Sequence, residues 1–388
     1  MLIYVIYVIY VLLIKVWNCG ILKCRIFKTK EKIKKEERGE LMDKYISNKI
    51  KNISLIMTFF VVILHSNNLE DPSVLNINTL IQNFIGQGIV RIAVPMFFLI
   101  SGYLFFYKFK PSKEAFLNKY KKRFKSLFIP YFLWCTGWLV ILYLVELTSF
   151  GRAMFSDRIV ADYNMAELFK NTYIYPLPYQ FWYIRALMIN VLISPIIYYV
   201  IVKLKDKALP VIVVFWFFDV IYYPILMFAV GACFAIGDYD LNFKEYRNKG
   251  YLFGIGYLLS IILKMILIYI PQIPNHEYIL LLSENLIILC GVPFAWFVYD
   301  VIGEKFRYKF DLSKEMKLAK YGIFIYFFHI PLQSIIKKLW FKVMPISNIS
   351  SLIIFFVAPV ITITICALVA IFMRKYMRKT YMVLSGGR

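Results

Sequence analysis

Polar positions are scarce over long stretches of this chain and return in clusters, so apolar runs of membrane-spanning length alternate with short charged loops. The runs lie at about 53 to 66, 88 to 107, 126 to 146, 181 to 202, 209 to 218, 221 to 236, 251 to 270, 278 to 300, 319 to 336 and 350 to 373. A transmembrane helix needs about 20 predominantly apolar residues. The pattern therefore predicts an all-α, polytopic membrane helix bundle with about ten transmembrane helices. Asp219 and Pro224 interrupt residues 209 to 236, which must hold two crossings. A single broken helix would invert every later segment and turn the basic 303 to 320 loop outward. The reading is thus a shortened or partly re-entrant hairpin with Asp219 at its turn.

Composition agrees with that picture: 61% of the 388 residues are hydrophobic, 19% are aromatic, and mean hydropathy is +0.65. The lipid bilayer is the first expected partner. Lys and Arg number 46 against 23 Asp and Glu, a balance that in a soluble protein suggests nucleic acid. Here the cations cluster in short loops, the pattern of the positive-inside rule, and no nucleic-acid partner is expected. Residues 108 to 125 carry eight Lys/Arg against one acid, and 303 to 320 six against three. The tail Arg374, Lys375, Arg378 and Lys379 is basic as well. Loop 67 to 87 has only Glu70 and Asp71, and 147 to 180 has three charges of each sign. Both chain termini are therefore expected in the cytoplasm of a bacterial cell, with the bundle in the plasma membrane. Lys337, Lys338 and Lys342 break the charge rule. The six cysteines mostly lie in apolar runs without metal spacing and read as buried hydrophobes; no metal is expected.

Met1 to Ile14 is apolar but short for a span and atypical for a signal peptide. Residues 15 to 51 carry twelve Lys/Arg and five acids with no apolar period, and read as a tail. In AT-rich codons Arg38-Gly39-Glu40-Leu41-Met42 would be AGA-GGA-GAA-TTA-ATG, a ribosome-binding run before a start codon. Residues 1–41 are therefore expected to be a poorly structured extension outside the native translation product. Residues 42–376 form the membrane domain and 377–388 a cytoplasmic tail.

Ionisable side chains at membrane depth are costly and mark functional sites. His65 ends the first span; fourteen residues beyond Lys51 at about 1.5 Å each put it roughly 21 Å in, nearer the outer face. Neutral imidazole there suits general-base work. Arg91 shares its layer and could hold an anionic group, or snorkel to headgroups. Arg123 opens the third span from the basic loop, which is either a topology signal or a mouth for the phosphates of an anionic cosubstrate. Trp182, Tyr183 and Arg185 open the fourth span from outside. Glu284 could pair with Arg91 or Arg185. His329, about 13 Å beyond Lys320, is either a second polar partner or a helix–helix bond.

In order and content these blocks resemble the acyltransferase 3 family of integral membrane acyltransferases: His65, then Val94-Pro95-Met-Phe97-Phe98-Leu-Ile-Ser101-Gly102-Tyr103, Arg123 with Ile129-Pro130-Tyr131, Phe181-Trp182-Tyr183, and Gly322-Ile-Phe-Ile-Tyr326 before His329. Pro-x-Phe-Phe-x-x-Ser-Gly is the most specific block. The resemblance spans roughly residues 43 to 375. It implies ten core helices and O-acetylation: transfer of an acyl, usually acetyl, group from cytoplasmic acyl-CoA (acetyl-CoA), a cosubstrate and not a bound cofactor, to a hydroxyl of a cell-surface polysaccharide or lipid-linked sugar. It implies that His65 is catalytic, as base or transient acyl carrier, with Arg91, and Arg185 as a further candidate, orienting substrate. The family commonly places an Arg eleven residues before the histidine, where this chain has Ser54. Lys51, one helical turn away, would then meet the coenzyme A phosphates as a point charge.

A polysaccharide exporter or flippase is the runner-up, with the same residues lining a sugar path, and a decayed enzyme keeping only the scaffold is the third reading. No paired acids suggest a coupling-ion site. Acceptor choice is expected in the outer loops, chiefly 67 to 87 and 147 to 180.

Overall fold

The computed structural model describes residues 35–387 apart from 155–158, 177, 218–221, 240, 242, 244–248 and 306–318. Regular structure among the described residues is entirely helical. The main helices are α1 (Lys35–Leu64), α2 (Ile77–Phe106), α3 (Lys113–Glu146), α4 (Tyr179–Leu192), α5 (Ser194–Phe217), α6 (Tyr223–Ile236), α7 (Gly250–Tyr269), α8 (His276–Lys305), α9 (Gly322–Val343), α10 (Asn348–Tyr376) and the short α11 (Arg378–Leu384). Each apolar run read from the sequence lies on one of them.

Among the described residues six helices are long and apolar enough to cross a membrane: α1 from Tyr45, α2, α3, α7, α8 to Ile302, and α10; α4 and α5, bent by 59°, make a seventh if they act together. Length and composition thus support a multi-pass bundle without reaching ten spans. The shortfall has local causes. α6 has only 14 residues, Lys205 interrupts α5 with φ 49°, and α9 carries three lysines near its end. The expected turn at Asp219 and most of the basic 303 to 320 loop fall outside the described residues.

Two expected tails are helical. α1 begins at Lys35, so residues 35 to 51 continue the first span instead of trailing from it. Lys49 shows how a charged stretch can do so: its Nζ is fully buried and donates to both Asp300 oxygens at 2.7 and 2.8 Å, 4.0 Å from the Trp296 ring centroid. Tyr45 donates to the same carboxylate at 2.5 Å. A buried charge is tolerated when paired and hydrogen-bonded, and this one ties α1 to α8. At the other end the chain turns at Met377, and α11 buries Tyr381 against Tyr321 and Phe324. Trp134 donates to the Leu384 carbonyl at 3.1 Å, fastening the carboxyl-terminal segment to α3.

α2 and α3 depart from regular geometry beside their prolines. In α2 a π turn at Phe84–Gly88 and a 3₁₀ turn at Ile89–Ile92 precede Pro95, and in α3 a π turn at Phe124–Phe128 precedes Pro130. Proline supplies no N–H and crowds the carbonyl four residues back, so the ladder must shift there. Farther along, α2 crosses α6 at glycine contacts. A Cβ on Gly102 would lie 1.9 Å from the Phe228 carbonyl oxygen, and one on Gly231 2.0 Å from that of Leu99. The close approach expected of Ser101-Gly102 is therefore made, and it is made to α6.

Candidate active site

A cavity of about 530 Å³ runs along α1. At one end it is lined by Lys51, Ser54, Arg123 and Lys320, and at the other by His65, Gln180, Tyr183, Tyr326 and His329; Trp182 also lines it. The lining between is mainly apolar, with Leu55, Val61, Val62, Val94 and Ile100. The fourteen residues from Lys51 to His65 span about 21 Å at 1.5 Å per residue. A cationic mouth and a histidine pair are thus joined by one largely apolar passage.

The histidine end is built where α1 meets α9. His65 follows the last residue of α1, and its ring centroid lies 5.3 Å from that of His329. The Tyr179 hydroxyl bonds His65 Nδ1. His329 is fully buried, and its Nδ1 faces the carbonyls of Tyr326 and Ile325 at 2.8 and 3.1 Å. Carbonyl oxygens only accept, so Nδ1 carries the proton and neutral His329 has its lone pair on Nε2. That nitrogen is buried and has no hydrogen-bond partner among the described residues.

α9 also closes the open end of α1. A helix leaves its last carbonyls without intrahelical partners, and here Gln333 donates to Val62 O at 3.1 Å while Lys337 donates to His65 O and Asn67 O at 3.0 and 2.9 Å. His329, Gln333 and Lys337 stand four apart and share one face of α9. The misplaced charge of Lys337 thus has a local purpose. Gln333 and Lys337 escaped sequence reasoning, though stepping by four from His329 reaches both. Tyr179 was missed because nothing in the turn that opens α4 marks it as facing His65.

Other expected site residues lie elsewhere. Arg91 is not among the cavity-lining residues; its Nε pairs with Glu284 at 2.8 Å, and Glu284 also pairs with Lys264. The pairing expected between Glu284 and one of two arginines is made to Arg91. Arg185 also lies outside the cavity lining: it donates to the Ile174 carbonyl, with its guanidinium carbon 5.7 Å from the Tyr175 ring centroid. Beyond Asn68, exposed Asp71 accepts from the Ser73 hydroxyl and amide, which hold its carboxyl below the usual range.

Helix bundle, cationic mouth and histidine pair define the class: a multi-pass membrane protein in which an apolar passage joins a cationic end to a pair of histidines. The chain belongs to the acyltransferase 3 family, whose model, described as an acyltransferase domain, matches residues 53–371. It is also 25% identical over 164 residues to the succinoglycan biosynthesis protein ExoH of Rhizobium meliloti (strain 1021); the match covers 40% of this chain and 43% of that protein. No solved structure matches the chain.

Proposed function

We propose that this protein is a membrane O-acetyltransferase that moves an acetyl group from cytoplasmic acetyl-CoA to a hydroxyl of a cell-surface polysaccharide or lipid-linked sugar. The observation that carries the reading is the single cavity joining Lys51, Arg123 and Lys320 to His65 and His329. Phosphates of the donor suit the cationic mouth, and its thioester arm would extend from them along the apolar lining to the histidines. The helices too short or polar to count as spans by themselves complete a ten-helix bundle in the bacterial plasma membrane, with both termini cytoplasmic.

With Nδ1–H donated to the Tyr179 oxygen, His65 has its lone pair on Nε2. Nε2 takes the proton of the acceptor hydroxyl as that oxygen attacks the thioester carbonyl. The C–S bond breaks, an ester C–O bond forms, and the departing thiolate takes the proton from the imidazolium. General-base catalysis of this kind contributes about 10² to 10⁴-fold. The succinoglycan relative supports a glycan acceptor.

Base-released acetate should be measured from the surface glycan of cells carrying the wild-type chain or His65→Ala. Loss of acetate with the glycan still present at the surface is expected. Unchanged acetylation would refute the catalytic assignment, and loss of surface glycan with its acetylation intact would establish export instead.

A further inference from the structure

Behind the histidine pair the structure has a second cavity, whose lining shares no residue with the first. Asn68, Ser334, Lys337, Lys338, Phe341 and Lys342 line a cavity of about 540 Å³ at the end of α9. These three lysines are the ones that break the positive-inside rule. The Lys337 ammonium is occupied by the carbonyls of His65 and Asn67, which fixes this cavity directly behind the catalytic loop. Lys338 and Lys342 are exposed and stand one turn apart on the same side of the helix. Phe341 adds an aromatic ring, while Ser334 and Asn68 add hydroxyl and amide groups.

Asn68 and Phe341 also line the neighbouring cavity of about 580 Å³, where Glu70, Asp71, Asn76, Asn78 and Ser351 supply carboxylates, amides and a hydroxyl. The amides of this floor are mutually bonded: Asn78 donates to Ser351 Oγ at 3.1 Å, and buried Gln82 donates to Asn78 at 2.8 Å. The two cavities thus meet at Asn68 and Phe341 with opposite charge. One half suits an anionic group, and the other suits hydroxyls that donate to carboxylates and amide oxygens.

We propose that the lysine cavity is the acceptor's anchoring subsite and takes the anionic group of a charged sugar, a phosphate or carboxylate, while its hydroxyl-bearing ring extends toward Asn68. This rests on the transferase reading for its orientation, but it is tested by binding alone. Purified full-length protein in phosphatidylcholine nanodiscs should be titrated calorimetrically with glucose 1-phosphate, glucuronate and glucose. The two anions should bind in a salt-sensitive manner and glucose should not. Lys338→Ala/Lys342→Ala should weaken anion binding about tenfold, and Lys338→Arg/Lys342→Arg should restore it, with both variants first confirmed monodisperse by size-exclusion chromatography. Equal affinity for glucose, or anion binding indifferent to the lysine pair, would overturn the proposal. It would equally fall if the lysines retained only phosphatidylglycerol from mixed nanodiscs and bound neither anionic sugar, since the occupant would then be a lipid headgroup. Failure of His65→Ala to alter acetylation would leave this binding result standing and remove only the transferase reading.

Discussion

The two ends of the His65 cavity are built on opposite principles. At the mouth, Lys51 and Lys320 are exposed and Arg123 half-buried, each on a separate helix or turn. Cations so placed act as a shared field, screened by salt and replaceable one at a time. At the far end, His65 is held by Tyr179 at its ring and by Lys337 at its backbone, beside a buried His329 fixed by two carbonyls. Geometry matters there more than charge. The lesson is that recognition of an anion tolerates loose placement, whereas proton transfer does not.

The contrast predicts a graded series of losses. His65→Ala should lower transfer by about 10² to 10⁴-fold, because it removes the imidazole that Tyr179 bonds while leaving the backbone carbonyl that Lys337 holds. His329→Gln should cost less, about 10 to 10²-fold in kcat, since it removes the Nε2 lone pair while leaving a residue of similar reach. Single-turnover measurement on membranes with saturating donor separates these chemical losses from binding. If His329→Gln were silent, the second histidine would be packing only, and the far end would lose half of its distinguishing geometry.

Lys337→Met comes next. It keeps the aliphatic stem and deletes the ammonium that holds His65 O and Asn67 O. A charge-assisted hydrogen bond is worth about 1.5 to 3 kcal/mol, so kcat should fall by about tenfold or more with donor KM unchanged. Lys337→Arg should recover part of the loss by offering donors to the same carbonyls. An effect on donor KM instead would place Lys337 with the mouth and dissolve the comparison.

How much of this was legible in the sequence follows the same division. Helix positions were readable because apolar length is written locally, and His65, His329, Lys51 and Arg123 were readable because polar groups in apolar runs stand out. Their union in one cavity agrees with the order of the blocks along the chain. Depth put Arg91 in the layer of His65 and brought Glu284 within its reach, and the two do pair between α2 and α8. The helical start at Lys35 was hidden because Asp300, which neutralises Lys49, lies 251 residues away. Tyr179 was hidden for a related reason, since the partner of the first residue of a helix is fixed by tertiary packing and not by period.

The smallest expected effect is the most diagnostic of the mouth. Ser54 occupies the position where the resemblance leads one to expect an arginine, and it lines the cavity together with Lys51 and Arg123. If the mouth is a shared field, the existing cations already do most of the work of a missing guanidinium. Ser54→Arg should then lower donor KM by only about threefold, with kcat unchanged, as one more cation near the phosphates contributes roughly 0.5 to 1 kcal/mol. Lys51→Ala should raise donor KM by a similar factor, and both changes should shrink as salt rises. A gain of a hundredfold in kcat from Ser54→Arg would mean instead that the mouth demands the bidentate fork of arginine at one defined point, and that both ends of the cavity are matters of geometry.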